Sequence, residues 1–139
     1  MSTLLVWGIT GGVHLVLADV VSDARQYMQE GNDDQAVFLL EPWVRKHATN
    51  HEAFFLLGIL YAQQEKYTKA IEMFHQVSAL QPKLAEPHGN LAVIYNALGE
   101  PEAAARELKT FLHKRPGDPV ILENLGDIQI QLALKSYQT

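Results

Sequence analysis

The chain has 139 residues, which favours a single domain, and its formal net charge of -5 argues against nucleic acid as a partner. It contains no cysteine, which excludes disulfide bonds and thiolate metal sites. No run of like charges predicts a disordered tail.

The first 18 residues differ from the rest of the chain. Residues 4–18 contain no acidic residue, lysine or arginine. This run is shorter than the roughly 20 residues of a membrane span, but it fits the apolar core of a secretory signal, about 7–15 residues. Val16 and Ala18 occupy the small-residue positions before a cleavage site, although residues 1–3 lack the usual basic charge. We predict that residues 1–18 are a cleaved signal peptide, and the alternative is an uncleaved strap packed on the helices that follow.

Seven helices are predicted after this leader. Their expected spans, in chain order, are about 19–30, 35–47, 51–64, 67–80, 85–98, 101–114 and 119–135. Asp19, Asn50 and Asp118 are the expected N-caps, because a short polar side chain accepts hydrogen bonds from the free amides of a first helical turn. Gly31 is placed for a left-handed helix end. Pro42 lies inside the second predicted helix, where a proline can introduce a kink.

A spacing of 34 residues relates these helices. Four windows of that length begin at Leu17, His51, Ala85 and Pro119. Small residues recur at the eighth and twentieth window positions, and tyrosine recurs at the eleventh. The eighth positions are Ala24, Gly58, Ala92 and Gly126, the twentieth are Ala36, Ala70 and Ala104, and the tyrosines are Tyr27, Tyr61 and Tyr95. Small residues recur where two helices must touch closely, so the pattern predicts a helix-turn-helix unit that stacks on copies of itself.

Further recurring residues point to a family. The central window carries, in order, Phe54, Leu57, Gly58, Tyr61, Ala70, Phe74, Val77 and Pro82, and the next window ends at Pro116. This pattern resembles the tetratricopeptide repeat family over about residues 19–135. The resemblance implies an all-α fold in which tetratricopeptide helix-turn-helix repeats stack as a right-handed superhelical solenoid. It also implies three repeats plus a final helix over residues 19–135, a tail at residues 136–139, and a binding scaffold rather than a catalyst.

Four positions depart from the family pattern. Asp23 occupies an apolar position of the first window, which also lacks the terminal proline. His88 replaces the usual aromatic residue of the third window, and Phe111 replaces a small residue there. The first repeat is therefore expected to be degenerate.

No residue pattern predicts catalysis. The serines lie in no nucleophile-elbow motif, and the glycines within residues 8–12 have neither phosphate-loop nor dinucleotide-binding spacing. His51 and Glu52 begin like a zinc-protease motif, but Phe55 stands where that motif needs its second histidine. We therefore expect no enzyme activity and no catalytic, cofactor-binding or metal-binding residues.

The resemblance implies a concave groove lined by the first helix of each repeat. Asn90 and Asn124 share the sixth window position, and Asn96 faces the same way. An asparagine amide donates and accepts, so it can pair with both sides of an extended peptide backbone. The expected apolar floor of the groove consists of Phe55, Ile59, Ala62, Val93 and Ala97. These residues are predicted to bind an extended peptide, unless Asn90 and Asn124 are solvated helix residues or local caps.

The partner is predicted to be a protein or an extended peptide segment, with no cofactor. Family members that clamp an acidic C-terminus use lysine and arginine at three inward positions, because two carboxylates need cations. In the first three windows of this chain, these positions include Val21, Leu56, Glu86 and Asn90, and none of the four is a base. An apolar, neutral or basic segment is therefore expected rather than an acidic C-terminus, and no nucleic acid or stable membrane span is expected.

Two functional hypotheses remain open at this stage. The leading one is a peptide-binding adaptor in the bacterial periplasm or outside the cell, because the order of leader and repeats loosely resembles bacterial envelope members of the family. The alternative location is the cytoplasm. The second hypothesis is a self-assembling structural module that forms homo-oligomers through the groove or through the last helix. That helix is expected to offer an apolar flank made of Ile128, Leu132 and Leu134, and its apolar positions, Leu125 included, are expected to exceed what the preceding helix pair covers.

Overall fold

A computed structural model describes residues 20–138 of the chain. The predicted leader at residues 1–18 and the predicted cap at Asp19 lie outside the described residues. None of the helices within residues 20–138 combines the length and the apolarity that crossing a bilayer requires.

Residues 20–138 form seven helices and no strand. The helices are α1 (Val20–Gln29), α2 (Asp33–Lys46), α3 (His51–Gln63), α4 (Tyr67–Leu80), α5 (Glu86–Ala97), α6 (Pro101–Lys114) and α7 (Pro119–Tyr137). The all-α prediction is confirmed, and each predicted boundary in the described part lies within about two residues of the observed one, the usual scatter of helix ends.

The turn residues explain why the helices end where they do. The Asn50 side chain accepts a hydrogen bond from the Ala53 amide at 3.1 Å, so the predicted cap of α3 is confirmed. The Asp118 carboxylate likewise accepts from the first amides of α7 at 3.1 and 3.2 Å. Gly31 has a φ of 76°, which ends α1 in the left-handed conformation that glycine adopts without steric cost. Pro42 lies on an exposed side of α2, and the helix continues through it.

Consecutive helices pack as hairpins that stack along one axis. The pairs are α1 with α2, α3 with α4, and α5 with α6, while α7 packs on α6 without a following helix among the described residues. The second helix of each pair also contacts the first helix of the next pair. This arrangement is the solenoid that the 34-residue spacing predicts.

The small residues at the repeated positions allow close helix contact, as predicted. Ala70 and Ala104, the twentieth window residues of the second and third repeats, are both completely buried. Gly58 of α3 lies against Phe74 of α4, and a Cβ atom added at Gly58 would stand 2.8 Å from the Phe74 ring. Gly126 occupies the same window position in α7, but a Cβ atom there would meet nothing within 4 Å.

These two glycines give a matched pair of substitutions. Gly58→Ala forces Phe74 out of its site, which costs about 1–3 kcal/mol by overpacking and regains only about 0.5–1 kcal/mol in helix propensity. Gly126→Ala gains the helix propensity alone, so it is expected to raise the free energy of unfolding by about 0.5–1 kcal/mol. Urea denaturation of both variants checks this, and equal effects of the two substitutions would contradict the close contact at Gly58.

Hydrogen bonds between polar side chains connect helices both within a repeat and between neighbouring repeats. His88, which replaces an aromatic residue, contacts the Glu107 carboxylate through Nδ1 at 2.7 Å and so joins α5 to α6. The Tyr61 hydroxyl of α3 donates to the Glu41 carboxylate of α2 at 2.5 Å. Burial, and then this hydrogen bond, raise the pKa of Tyr61, so the hydroxyl stays protonated and keeps donating.

The final helix is better covered than the sequence suggested. Ile128 is buried, and Leu125 and Leu132 are half-buried against residues of α6. The prediction that Ile128 belongs to an exposed flank is therefore wrong, because its position on the helical turn faces the preceding hairpin. The large aliphatic side chains that α7 leaves exposed, among the described residues, are Val120, Leu122, Ile130 and Leu134.

Candidate functional site

The first helix of the third repeat, α5, and the final helix, α7, border a cavity. Its volume is about 530 Å³, and it lies between α5 and α7 with residues of α6 at its floor. Phe55 of α3 also reaches it. The lining residues are Phe55, Glu86, Gly89, Asn90, Ala92, Val93, Asn96, Leu108, Phe111, Ile121, Asn124, Asp127, Ile128 and Gln131.

Five of the eight residues predicted for the groove line this one cavity. They are Phe55, Asn90, Val93, Asn96 and Asn124. Asn90 lies on α5 and Asn124 on α7, so the stacking of the helices brings both residues to the same cavity. Their role in binding stays a prediction.

The other three predicted residues lie elsewhere. Ile59 and Ala62 are half-buried on α3 and pack against the central core rather than lining the cavity. Ala97 is exposed at the end of α5. The cavity is thus concentrated at the third repeat and the final helix instead of running evenly along the solenoid.

Asn90 and Asn124 differ in whether their side chains already make a hydrogen bond within the protein. The Asn90 Nδ2 group donates to the Glu86 carbonyl at 3.0 Å, a bond within its own helix. Its carbonyl oxygen and second amide hydrogen remain available for a ligand. Asn124 is exposed, and within residues 20–138 its side chain makes no hydrogen bond. Asn124 is therefore the side chain that is better prepared to pair with a peptide backbone.

Part of the cavity lining comes from residues that the window positions do not assign to the groove. Gly89 occupies the window position that Phe55 fills one repeat earlier, and the Phe111 ring packs against it. A Cβ atom at Gly89 would lie 3.4 Å from that ring. Leu108 and Phe111 come from α6, a second helix, and both are buried behind the cavity surface. The glycine at the fifth window position was the signal that could have revealed this contact between α5 and α6.

The ionisable side chains that line the cavity are acidic. No lining residue is lysine, arginine or histidine, whereas Glu86 and Asp127 both line it. Glu86 forms an ion pair with Arg115. A hydrogen bond from its own backbone amide, followed by the Arg115 guanidinium, lowers the pKa of Glu86 against the opposing effect of burial. Asp127 is exposed and has no ion pair within the part of the chain that the structure describes.

The other candidate binding chemistry lies outside the cavity. Arg25 of α1 lies 3.4 Å from the Glu52 carboxylate of α3 in an exposed ion pair. Within residues 20–138, no group of three or more histidine, aspartate or glutamate side chains is arranged to hold a metal ion.

Comparison with known families agrees with the repeat register. One model of the tetratricopeptide repeat matches residues 22–85, and a second model of the same repeat matches residues 57–125. Together the two matches extend from α1 into α7. The chain belongs to the tetratricopeptide repeat family.

Sequence relatives and solved structures give the same fold. The human Superkiller complex protein 3 is 25% identical over 107 residues, which are 77% of this chain but 7% of that protein. The chain thus spans a small fraction of the length of this relative. The Yersinia enterocolitica type III secretion chaperone SycD, solved with a peptide of the translocator YopD, has a TM-score of 0.78 at 17% identity, covering 84% of this chain and 94% of that chain.

A second solved structure carries a different peptide. The first TPR of Spaghetti (RPAP3), bound to the HSP90 peptide SRMEEVD, has a TM-score of 0.76 at 18% identity, covering 82% of this chain and 90% of that chain. At these identities the likeness to both structures is one of fold.

Proposed function

We propose that this protein is a non-catalytic adaptor that binds an extended segment of a partner protein in the cavity between α5 and α7. The observation that carries the proposal is the convergence of Asn90, Asn124 and Val93 on one cavity of about 530 Å³. An extended segment uses the two amides for its backbone and the exposed apolar surface of Val93 and Phe55 for its side chains. Proteins of the same fold bind peptides, as the SycD and Spaghetti complexes illustrate.

A peptide selection tests this proposal. Peptides of random sequence displayed on phage are selected against the folded protein, and the affinity of the recovered peptides is measured by calorimetry. Val93 is 67% exposed in the cavity, and Phe38 is 74% exposed on α2 away from it, so Phe38→Ser is a stringent control that removes even more exposed apolar surface than Val93→Ser.

The two substitutions are expected to act differently. Val93→Ser should weaken peptide binding about 3- to 10-fold, because a ligand loses an apolar contact of roughly 1 kcal/mol. Phe38→Ser should leave the affinity unchanged. Recovery of no binding peptide, or equal weakening by the two substitutions, would contradict the proposed site.

The charge of the cavity favours a ligand that is apolar, neutral or basic. Glu86 and Asp127 supply the only formal charges among its lining residues. An acidic C-terminus such as that of the HSP90 peptide would find no lysine or arginine in this lining. We therefore extend the proposal to exclude acidic termini as the main ligands.

The location proposed for the adaptor is the bacterial periplasm or the cell exterior. It is supported by the uncharged run at residues 4–18 and the small residues Val16 and Ala18. N-terminal sequencing of protein expressed with its natural leader is expected to begin at Asp19. An intact Met1 on protein recovered from the cytoplasm would reject this location.

A self-assembling module is the second candidate function. The observation that favours it is the exposed apolar side of α7, where Leu122, Ile130 and Leu134 surround the open position at Gly126. In the second repeat, the equivalent glycine is covered by Phe74 of the following helix. Light scattering of the ligand-free protein decides between the candidates, because a self-assembling module forms dimers without peptide and Ile130→Asp returns it to monomers.

A further inference from the structure

The cavity between α5 and α7 combines an apolar lining with an acidic rim, and this combination restricts the ligand further. Val93 is 67% exposed and Phe55 is half-buried, so both offer apolar surface to a ligand. Leu108 and Phe111 also line the cavity, but they are only 2% and 5% exposed. A ligand side chain in the cavity meets carbon atoms of Val93 and Phe55, so an aliphatic or aromatic side chain fits it.

The acidic rim is formed by α7. Asp127 follows Asn124 by three residues and precedes Gln131 by four, so the three side chains share one face of the helix, and all three line the cavity. The ninth window position is Arg25 in the first window, Ile59 in the second, Val93 in the third and Asp127 in the fourth. Only the fourth window therefore presents a carboxylate at this position.

The other charges do not neutralise that carboxylate. Arg25 is engaged with Glu52, and Arg115 is engaged with Glu86. No lysine, arginine or histidine lines the cavity, and Asp127 has no ion pair among residues 20–138. A cation brought by the ligand would be its complement, and binding in a partly desolvated groove makes such a pair more favourable than on an open surface.

We propose, resting on the peptide-binding function, that the groove selects extended segments in which an apolar residue is followed or preceded within about two residues by lysine or arginine. The apolar side chain packs on Val93 and Phe55 in the cavity, and the cation pairs with Asp127. A spacing of two residues spans about 6.6 Å in an extended chain, which is comparable with a compact cavity of this volume. The asparagines hold the backbone, and Asp127 sets the sequence preference.

A charge exchange tests this specificity. Peptides selected on the wild-type protein should be enriched in the apolar–basic pairing. Asp127→Asn should weaken a selected peptide about 2- to 5-fold, and Asp127→Lys about 5- to 50-fold. Replacing the lysine of the peptide by glutamate should weaken binding to the wild type and restore binding to the Asp127→Lys variant.

A matched control separates local pairing from net charge. Glu72 is an exposed residue of α4 outside the cavity, and Glu72→Lys changes the net charge by the same amount as Asp127→Lys. It should leave the affinity unchanged. Melting temperatures of all variants identify any loss caused by unfolding.

The outcomes distinguish this inference from the function on which it rests. If peptides bind and lose affinity on Val93→Ser, yet show neither enrichment of basic residues nor any response to Asp127→Lys, the specificity is overturned while the peptide-binding function stands. If no peptide binds in the cavity at all, both are overturned. A restored affinity in the charge exchange supports the pairing directly.

Discussion

Phe74→Ala is expected to lower the free energy of unfolding by about 3–5 kcal/mol, the cost of emptying a large buried aromatic site. Phe74 is completely buried, meets Gly58 at close range, and stacks edge-on against Phe55 with ring centroids 5.6 Å apart. Because a small domain has only about 5–15 kcal/mol of total stability, this loss removes a large part of the margin. Phe74 lies in the central hairpin, so its loss should also weaken the coupling of the hairpins on both sides.

Urea denaturation monitored by circular dichroism measures this loss. Phe38→Ala is the control, because Phe38 is exposed and its substitution should change stability by no more than about 0.5 kcal/mol. A loss below about 1 kcal/mol for Phe74→Ala would show that the central hairpin is not packed as described.

The double substitution Asn90→Ala with Asn124→Ala is expected to weaken peptide binding about 5- to 100-fold if the two effects add, since each lost neutral hydrogen bond costs about 0.5–1.5 kcal/mol. Asn124 should contribute at least as much as Asn90, because the Asn90 amide already donates to the Glu86 carbonyl. The melting temperature should change little, since neither side chain belongs to the buried core.

Calorimetry with a selected peptide checks this expectation. Gln76 provides a control, because it is an exposed amide on α4 outside the cavity, and Gln76→Ala should not change the affinity. An unchanged affinity in the double variant would remove the asparagines from the binding mechanism.

The helices and their stacking were predictable from sequence because their determinants are local or periodic. Asn50 and Asp118 cap helices through amides two or three residues away. Ala70 and Ala104 recur at the helix contacts with the period of the repeat. Signals of this kind do not depend on how distant segments are placed.

The shape of the site was less predictable because it depends on the gap between helices of different repeats. The window positions place Asn90 with Asn124, and both line one cavity, yet these positions could not show that Ile59 is half-buried against the core. They also restricted the groove to first helices, and so omitted Phe111 of α6. The prediction that Ile128 is exposed was wrong for a similar reason, since only the packing of α7 on α6 decides which side of the last helix is covered.

Mapping the bound peptide on the protein tests the central claim most directly. A selected peptide is titrated into isotopically labelled protein, and changes in backbone and side-chain amide resonances are recorded. We predict the largest changes at Asn90, Val93, Asn124 and their neighbours on α5 and α7, with little change at Phe38 and the exposed face of α4. Changes confined to the exposed faces of α2 and α4, with the resonances of Asn90 and Asn124 unmoved, would contradict the proposal that this cavity binds the partner.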